Sequence, residues 1–217
     1  MKYSVDTIIF DLDGTLVDTG PDIAAATNFT LHSFGIPELP LETIVNSIGG
    51  GAEVLLRRCL GERADELIQL ALPIFNQRYS DFCCVESYLY PEVRTVLEHY
   101  NAVGKKMALA TQKKESATHE ILKKLEIATY FEVVIGPESV KNRKPHPESV
   151  LNILDRFGAS AERAVMVGDM ASDIQAGKSA GTLTCGILYG YGSEDVIIAA
   201  QPDVVLGELG KMLEWFE

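Results

Sequence analysis

Thr7-Ile8-Ile9-Phe10-Asp11-Leu12-Asp13-Gly14-Thr15-Leu16-Val17-Asp18 is a short apolar run that ends in two carboxylates one residue apart. Thr7–Phe10 reads as a buried strand and Gly14 as its break, so Asp11 and Asp13 project together into whatever crevice lies beyond the strand's carboxyl end. There, one carboxylate can serve as nucleophile or metal ligand. The other, forced by its neighbour into a different protonation state, can serve as acid and base. A plain turn accounts for the same residues, because Asp and Gly are common in turns. The rest of the chain has to decide between the two.

From about Val103 onward, apolar strands alternate with helical patterns, the signature of a parallel sheet covered on both faces. Strand runs fall at Lys106–Ala110, 131–135, 165–167, 184–188 and 203–206. Between them, 116–125 carries Ile121, Leu122 and Leu125 on one helical face. A helix starting at Pro147 is stopped by Gly158, and another passes through Ile174, Ala176, Gly177 and Ala180. The tail, 209–216, reads as a final helix. Between the first strand and Val103 there is almost no strand signal. Helical periodicities instead cover Ile23 to about Phe34, 41–48, Ala52–Leu60 and 65–78, with Pro73 expected to kink or break the last. This stretch predicts an inserted helical domain.

At 217 residues and 47% apolar, the chain can hold one large or two small domains. A formal charge of -12 argues against a nucleic-acid or anionic-membrane partner. It leaves room for an anionic substrate, because a bound divalent cation dominates the field close to it. Cys59, Cys83, Cys84 and Cys185 lack C-x-x-C spacing, so neither a zinc site nor a disulfide framework is expected, and Cys83-Cys84 reads as packing. The four histidines show no metal-like pairing. Residues 1–6 lack a secretory apolar core, and no run approaches the roughly 18 apolar residues needed to span a bilayer. The expectation is a soluble, cytoplasmic protein with reduced thiols.

Three later segments bear on the Asp11 stretch. Lys106–Ala110 ends at Thr111-Gln112-Lys113, then comes Arg143-Lys144-Pro145-His146-Pro147, and finally Ala164–Gly168 runs into Asp169-Met170-Ala171-Ser172-Asp173. In this order the four segments resemble the motifs of the haloacid dehalogenase superfamily, and the second Asp of the first motif resembles its phosphatase branch. The resemblance spans the chain. It implies an α/β fold, a Rossmann-like parallel-sheet core with an inserted α-helical cap domain of type 1. The core would comprise 1–15 and 88–217 and the cap 16–87, with hinges near 17–20 and 84–88.

The same resemblance implies roles. Asp11 is the nucleophile that forms an aspartyl-phosphate, and Asp13 the acid and base. Mg²⁺ is held by Asp11, Asp169 and the backbone carbonyl of Asp13. Thr111, Lys144 and the amides of Leu12 and Gln112 hold the phosphate, with Gln112 standing where the family carries Asn. Asp173 supports Lys144 or metal-bound water from behind. Gly14 and Thr15 are structural parts of the site, permitting the turn and bonding near Asp11. Asp18 either faces the catalytic mouth or caps the first cap helix. In the cap, Gly49-Gly50-Gly51 either presents amides to a substrate carboxylate, with Arg57 or Arg58 beyond, or is a flexible connection.

The expected partner is a small phosphorylated molecule, with no nucleic acid and no membrane, and with monomer and dimer both open. The segments 48–52, 168–177, 189–192 and 202–203 look most like phosphoglycolate phosphatases. A hexose-phosphate mutase, a pyrophosphatase or a nucleotidase uses the same core. A non-catalytic phospho-aspartyl switch also needs Asp, Thr and Lys, but has no use for a cap or for an acid two residues beyond the phosphorylated Asp.

Overall fold

The computed structural model describes residues 2–217; Met1, the first residue of the expected core segment, lies outside the described residues. The chain opens with β1 (Thr7–Phe10), wholly buried, and turns at once. In that turn the Leu12 carbonyl accepts the amides of Thr15, Leu16 and Val17. Then come β2 (Val17–Asp18) and four helices, α1 (Gly20–His32), α2 (Leu41–Val45), α3 (Ala52–Leu60) and α4 (Ala64–Asp81). The chain returns through β3 (Tyr88–Leu89), which pairs antiparallel with β2. Beside this ribbon the buried Asp22 carboxylate accepts the amides of Val85, Glu86 and Ser87 and the Ser87 hydroxyl, so entry to and exit from the helical insert are tied together.

After α5 (Val93–Ala102) the strands and helices alternate: β4 (Lys106–Ala110), α6 (Glu115–Lys124), β5 (Val133–Ile135), α7 (Glu148–Phe157), β6 (Ala164–Gly168), α8 (Ala171–Ala180), β7 (Leu183–Ile187), α9 (Glu194–Ala199), β8 (Val204–Leu206) and α10 (Met212–Trp215). The six-stranded sheet has the order β5-β4-β1-β6-β7-β8, and every neighbouring pair is parallel. Strands covered on both faces need apolar residues at successive positions. Ile9, Ala108 and Met166 pack with Val150 and Ile153 of α7 and Ala176 of α8. Ile8, Phe10 and Leu109 belong with Val96, Leu97 and Ile121 from α5 and α6. Burying a side chain such as Phe10 contributes about 2–3 kcal/mol relative to leaving it exposed. Among the described residues, no helix is long and apolar enough to cross a membrane.

Some element bounds differ from those expected. Of the two outcomes expected at Pro73, the break does not occur: α4 runs from Ala64 to Asp81. Pro73 lies on the exposed face, towards the cavity, while Leu67, Ile68, Ala71 and Phe75 hold the buried face. The tail is helical as expected, a 3-10 turn at Leu209–Lys211 running directly into α10, and it ends at Trp215, where Phe216 bridges to Tyr3 and stacks on it and the Trp215 carbonyl accepts the Tyr3 amide. The second insert helix stops at Val45, three residues short of Ile48.

Candidate active site

Sheet register brings the motifs together. Phe10 is level with Leu109 on one side and Val167 on the other. Asp11, Thr111 and Asp169 therefore leave the carboxyl ends of three neighbouring strands at nearly one height. The centre of this group is β1, from which the chain goes to β4 on one side and later to β6 on the other. That reversal opens the crevice where open α/β sheets bind ligands.

Lys144 binds the cluster together from the loop before α7. Its Nζ lies 2.6 Å from Asp173 Oδ1 and 3.3 Å from Asp11 Oδ1, and it donates to the Ala110 carbonyl at 2.6 Å. Burial opposes its charge, but Asp11 and Asp173 outweigh burial and hold the ammonium above the usual lysine range. Burial pushes Asp11 up to about 7 against the pull of Lys144, with Asp173 and Asp13 adding to the rise. Asp169 is pushed up to about 8 by burial and then by Asp173 and Asp11, against the pull of the Thr15 hydroxyl and the Tyr191 amide. Oxygens of Asp11, Asp169 and Asp173 all lie within 4.8 Å of one another. An all-carboxylate, buried donor set of this kind suits a hard divalent cation, which also relieves the crowding of negative charge.

Asp169 is held on both oxygens: the Thr15 hydroxyl donates to Oδ1 and the Tyr191 amide to Oδ2, each at 2.8 Å. Gly14, at φ +79°, is needed here, since a Cβ would run into the Asp169 carboxylate. A Cβ on Gly190 would strike the same side chain. Asp13 points elsewhere. Its Oδ1 accepts the Thr19 hydroxyl at 2.6 Å and lies 3.1 Å from Lys113 Nζ, which in turn donates to the Tyr79 hydroxyl of α4 at 2.6 Å. A cavity of about 570 Å³ lies over these groups, lined by Asp11, Asp13, Thr111 and Gln112 from the sheet edge and by Gly49, Gly50 and Gly51 from the insert.

Several expected placements need correction. Thr15 does bond beside Asp11, but its hydroxyl goes to Asp169 of the same cluster and not to Asp11 itself. The Leu12 amide donates to Asp11 Oδ1 at 2.8 Å. Asp18 does not line the cavity. It belongs to the ribbon, accepting the Gly20 amide and the Tyr191 hydroxyl on Oδ1 and the Tyr88 hydroxyl on Oδ2. Thr19 occupies the cap position of α1 without a side-chain cap bond, and Asp18, one residue earlier, supplies the carboxylate that accepts the amide of Gly20, the helix's first residue. Arg57 turns outward, paired with Glu53 at 3.1 Å and Asp65 at 2.8 Å, since these acids share its helix face and the helix that follows. Arg58 donates to the Ser47 carbonyl. Asp173 does pair with Lys144, and it also enters the acidic cluster.

Sequence reasoning passed over Lys113, Tyr79, Thr19, Tyr191 and Arg143, whose guanidinium lies beside Gly51. Lys113, next to Gln112, Arg143, beside Lys144, Tyr191, in the Tyr-Gly-Tyr-Gly run, and Thr19, in the expected hinge, all stood within segments already singled out, but none was given a role.

Comparison with known proteins bears directly on this site. The family model of haloacid dehalogenase-like hydrolases matches residues 8–187. Phosphoglycolate phosphatase of Salmonella typhi is 35% identical over 227 residues, covering 95% of this chain and 90% of its own. The enzyme of the same name from Escherichia coli K12 is 34% identical with the same coverage. The crystal structure of a predicted phosphoglycolate phosphatase from Haemophilus somnus 129PT matches with a TM-score of 0.89 and 30% identity, covering 97% of each chain.

Proposed function

The chain belongs to the haloacid dehalogenase-like hydrolase family and is a phosphoric monoester hydrolase, and from that premise we propose that it is a Mg²⁺-dependent phosphatase acting on 2-phosphoglycolate through an aspartyl-phosphate on Asp11. The observation that carries this reading is the buried chain Asp11–Lys144–Asp173 beside Asp169, with Asp13 two residues from Asp11 and facing the same cavity.

A phosphate monoester resists attack because an anionic nucleophile must approach an anionic phosphorus, so catalysis rests on alignment and charge neutralisation. In this reading Thr111 and the amide of Gln112 hold the phosphate oxygens, the Leu12 amide holds the Asp11 carboxylate, and Lys144 draws charge off the phosphate. An Asp11 oxygen attacks phosphorus in line while the bond to the ester oxygen breaks. Asp13 gives its proton to the leaving alkoxide. It then takes a proton from the water that attacks the same phosphorus, releasing inorganic phosphate and restoring Asp11. Thr19 and Lys113 hold Asp13 on course. Asp11, Asp169 and the carbonyl of Asp13 would hold Mg²⁺, whose chemistry is to neutralise phosphate charge as a Lewis acid. Asp173 keeps Lys144 in place.

The domain division goes with this proposal: residues 1–15 and 88–217 act as core and 16–87 as a cap that closes over the substrate at the β2–β3 ribbon. The test is phosphate release from 2-phosphoglycolate, pyrophosphate, nucleoside monophosphates and sugar phosphates, with Mg²⁺ or with EDTA, for the wild type and Asp11→Asn. Metal-dependent release that favours 2-phosphoglycolate and disappears in Asp11→Asn is the expected result. No release from any ester, or turnover that survives in Asp11→Asn, overturns the mechanism, and a preference for another ester overturns the substrate.

A further inference from the structure

We propose that Lys113 selects the substrate by reading a carboxylate carried on the same carbon as the ester oxygen. The inference rests on the phosphatase reading above, and specifically on Asp13 as the group that protonates the leaving oxygen.

Two cations are buried at this site, and their donors are spent differently. An ammonium has three N–H donors. All three of Lys144 are committed, to Asp11, Asp173 and the Ala110 carbonyl. Lys113 spends one on the Tyr79 hydroxyl and one on Asp13, and it lines the cavity with its side chain 6% exposed. That leaves one donor for a ligand. Two other cations, Lys114 and Arg143, line the cavity but are exposed and therefore offer a hydrated charge, and Arg57 is engaged with Glu53 and Asp65 outside it.

The position of Lys113 decides which part of the substrate it meets. Its Nζ lies 3.1 Å from the very oxygen of Asp13 that the Thr19 hydroxyl also binds. When Asp13 reaches the ester oxygen, the substituent on the adjoining carbon is therefore brought against Lys113. Asp11, Asp13, Asp169 and Asp173 make this region strongly negative, so a second carboxylate enters only if a cation meets it. A neutral substituent leaves the buried ammonium one partner short, and sites built to bond a polar group discriminate strongly against substrates that lack it. Because Tyr79 belongs to α4 and Lys113 to the sheet edge, the reader spans the insert and the sheet.

The experiment compares kcat/KM of the wild type, Lys113→Met and Lys113→Arg for three esters: 2-phosphoglycolate, 2-phospholactate and 2-hydroxyethyl phosphate. The last keeps the length of 2-phosphoglycolate but replaces the carboxylate with a neutral hydroxyl. The wild type is expected to favour the better carboxylate by about 100-fold. Lys113→Met is expected to compress that preference to about fivefold or less, chiefly by raising KM for the carboxylates, and Lys113→Arg to retain most of it. A uniform loss on all three esters means that Lys113 only steadies Asp13, and overturns the inference while leaving the phosphatase intact. A wild-type preference for 2-phospholactate that Lys113→Met erases upholds Lys113 and removes 2-phosphoglycolate as the substrate. A wild type indifferent to the carboxylate overturns both. Should Lys113→Met lack a cooperative thermal transition, Lys113→Gln carries the same comparison.

Discussion

The sheet edge and the helical insert face each other across one cavity and are built on different terms. In β1 and β6 every residue is buried, and the groups that follow them are positioned by backbone register and by other buried charges. In the insert only part of each helix is buried, such as Leu67, Ile68, Ala71, Phe75 and Tyr79 on α4, and it gives the cavity the Gly49-Gly50-Gly51 backbone together with side chains such as Leu55, Leu72, Phe75 and Asn76. The sheet edge thus holds ionised groups at fixed separations in a low-dielectric setting, where displacing one of them is costly. The insert shapes the space and tolerates change on its outer faces.

The sharpest way to break this contrast is to remove a reacting group from the sheet edge. Asp11→Asn is expected to lower metal-dependent phosphate release by about 10⁴-fold or more, since the amide has neither the charge nor the nucleophilicity of a carboxylate. Single-turnover assays with radiolabelled ester read the loss directly.

Next in size is Lys144→Met. Removing the cation leaves Asp11 and Asp173 buried together without their partner, and loss of about 3 kcal/mol in urea unfolding at pH 7 is expected, along with activity. Unchanged stability would mean that the sheet edge accommodates its charges as loosely as the insert does.

A third effect follows from Asp11 and Asp169 in the protein freed of divalent cations. Their carboxyls are pushed to about 7 and about 8 when folded, against 3.8 as the ordinary value. The folded state therefore binds these protons more tightly than the unfolded chain. The stability they lend is complete below about pH 4 and is lost as pH rises through about 7 to 8. With EDTA, calorimetry should show Tm falling from pH 5 to pH 8, and Mg²⁺ should reduce that fall by replacing the protons. A Tm that rises across this range would contradict the burial of these carboxylates.

The smallest effect is expected in the insert. Arg57→Ala removes two exposed ion pairs on the outer face of α3 and should leave kcat/KM for 2-phosphoglycolate within about twofold of wild type. A larger drop would bring Arg57 back to the cavity and blur the contrast between the two regions.

Much of the sheet was legible because a strand buried on both faces must be apolar almost throughout, and β1, β4 and β6 each announce their end with a polar group: Asp11, Thr111 and Asp169. The helix Ala52–Leu60 was legible to the residue for a related reason, since glycines bound it on both sides. The two-residue strands β2 and β3 were not, because so short a ribbon has no periodicity to read. Helices α5 and α9 also went unnoticed, the first merged into a strandless stretch and the second only six residues long. Arg57 was misjudged for a different reason: local sequence shows that two adjacent arginines cannot share a face, but not which one looks outward.

By itself, the amino-acid sequence determined the alternation of strands and helices, the insertion of helices after the first strand, and the strand-end candidates Asp11, Asp13, Thr111 and Asp169, because burial patterns and strand ends are local properties of the chain; Lys144, in a loop, came in only through the family resemblance of its segment. Tertiary structure alone decided who touches whom: that Thr15 and Tyr191 share Asp169, that Lys144 is saturated by Asp11, Asp173 and Ala110, and that Lys113 joins Asp13 to Tyr79, which lies 34 residues before Lys113 in the chain. Those pairings depend on register, on strand order and on the angle at which α4 meets the sheet edge, and no run of neighbouring residues encodes them.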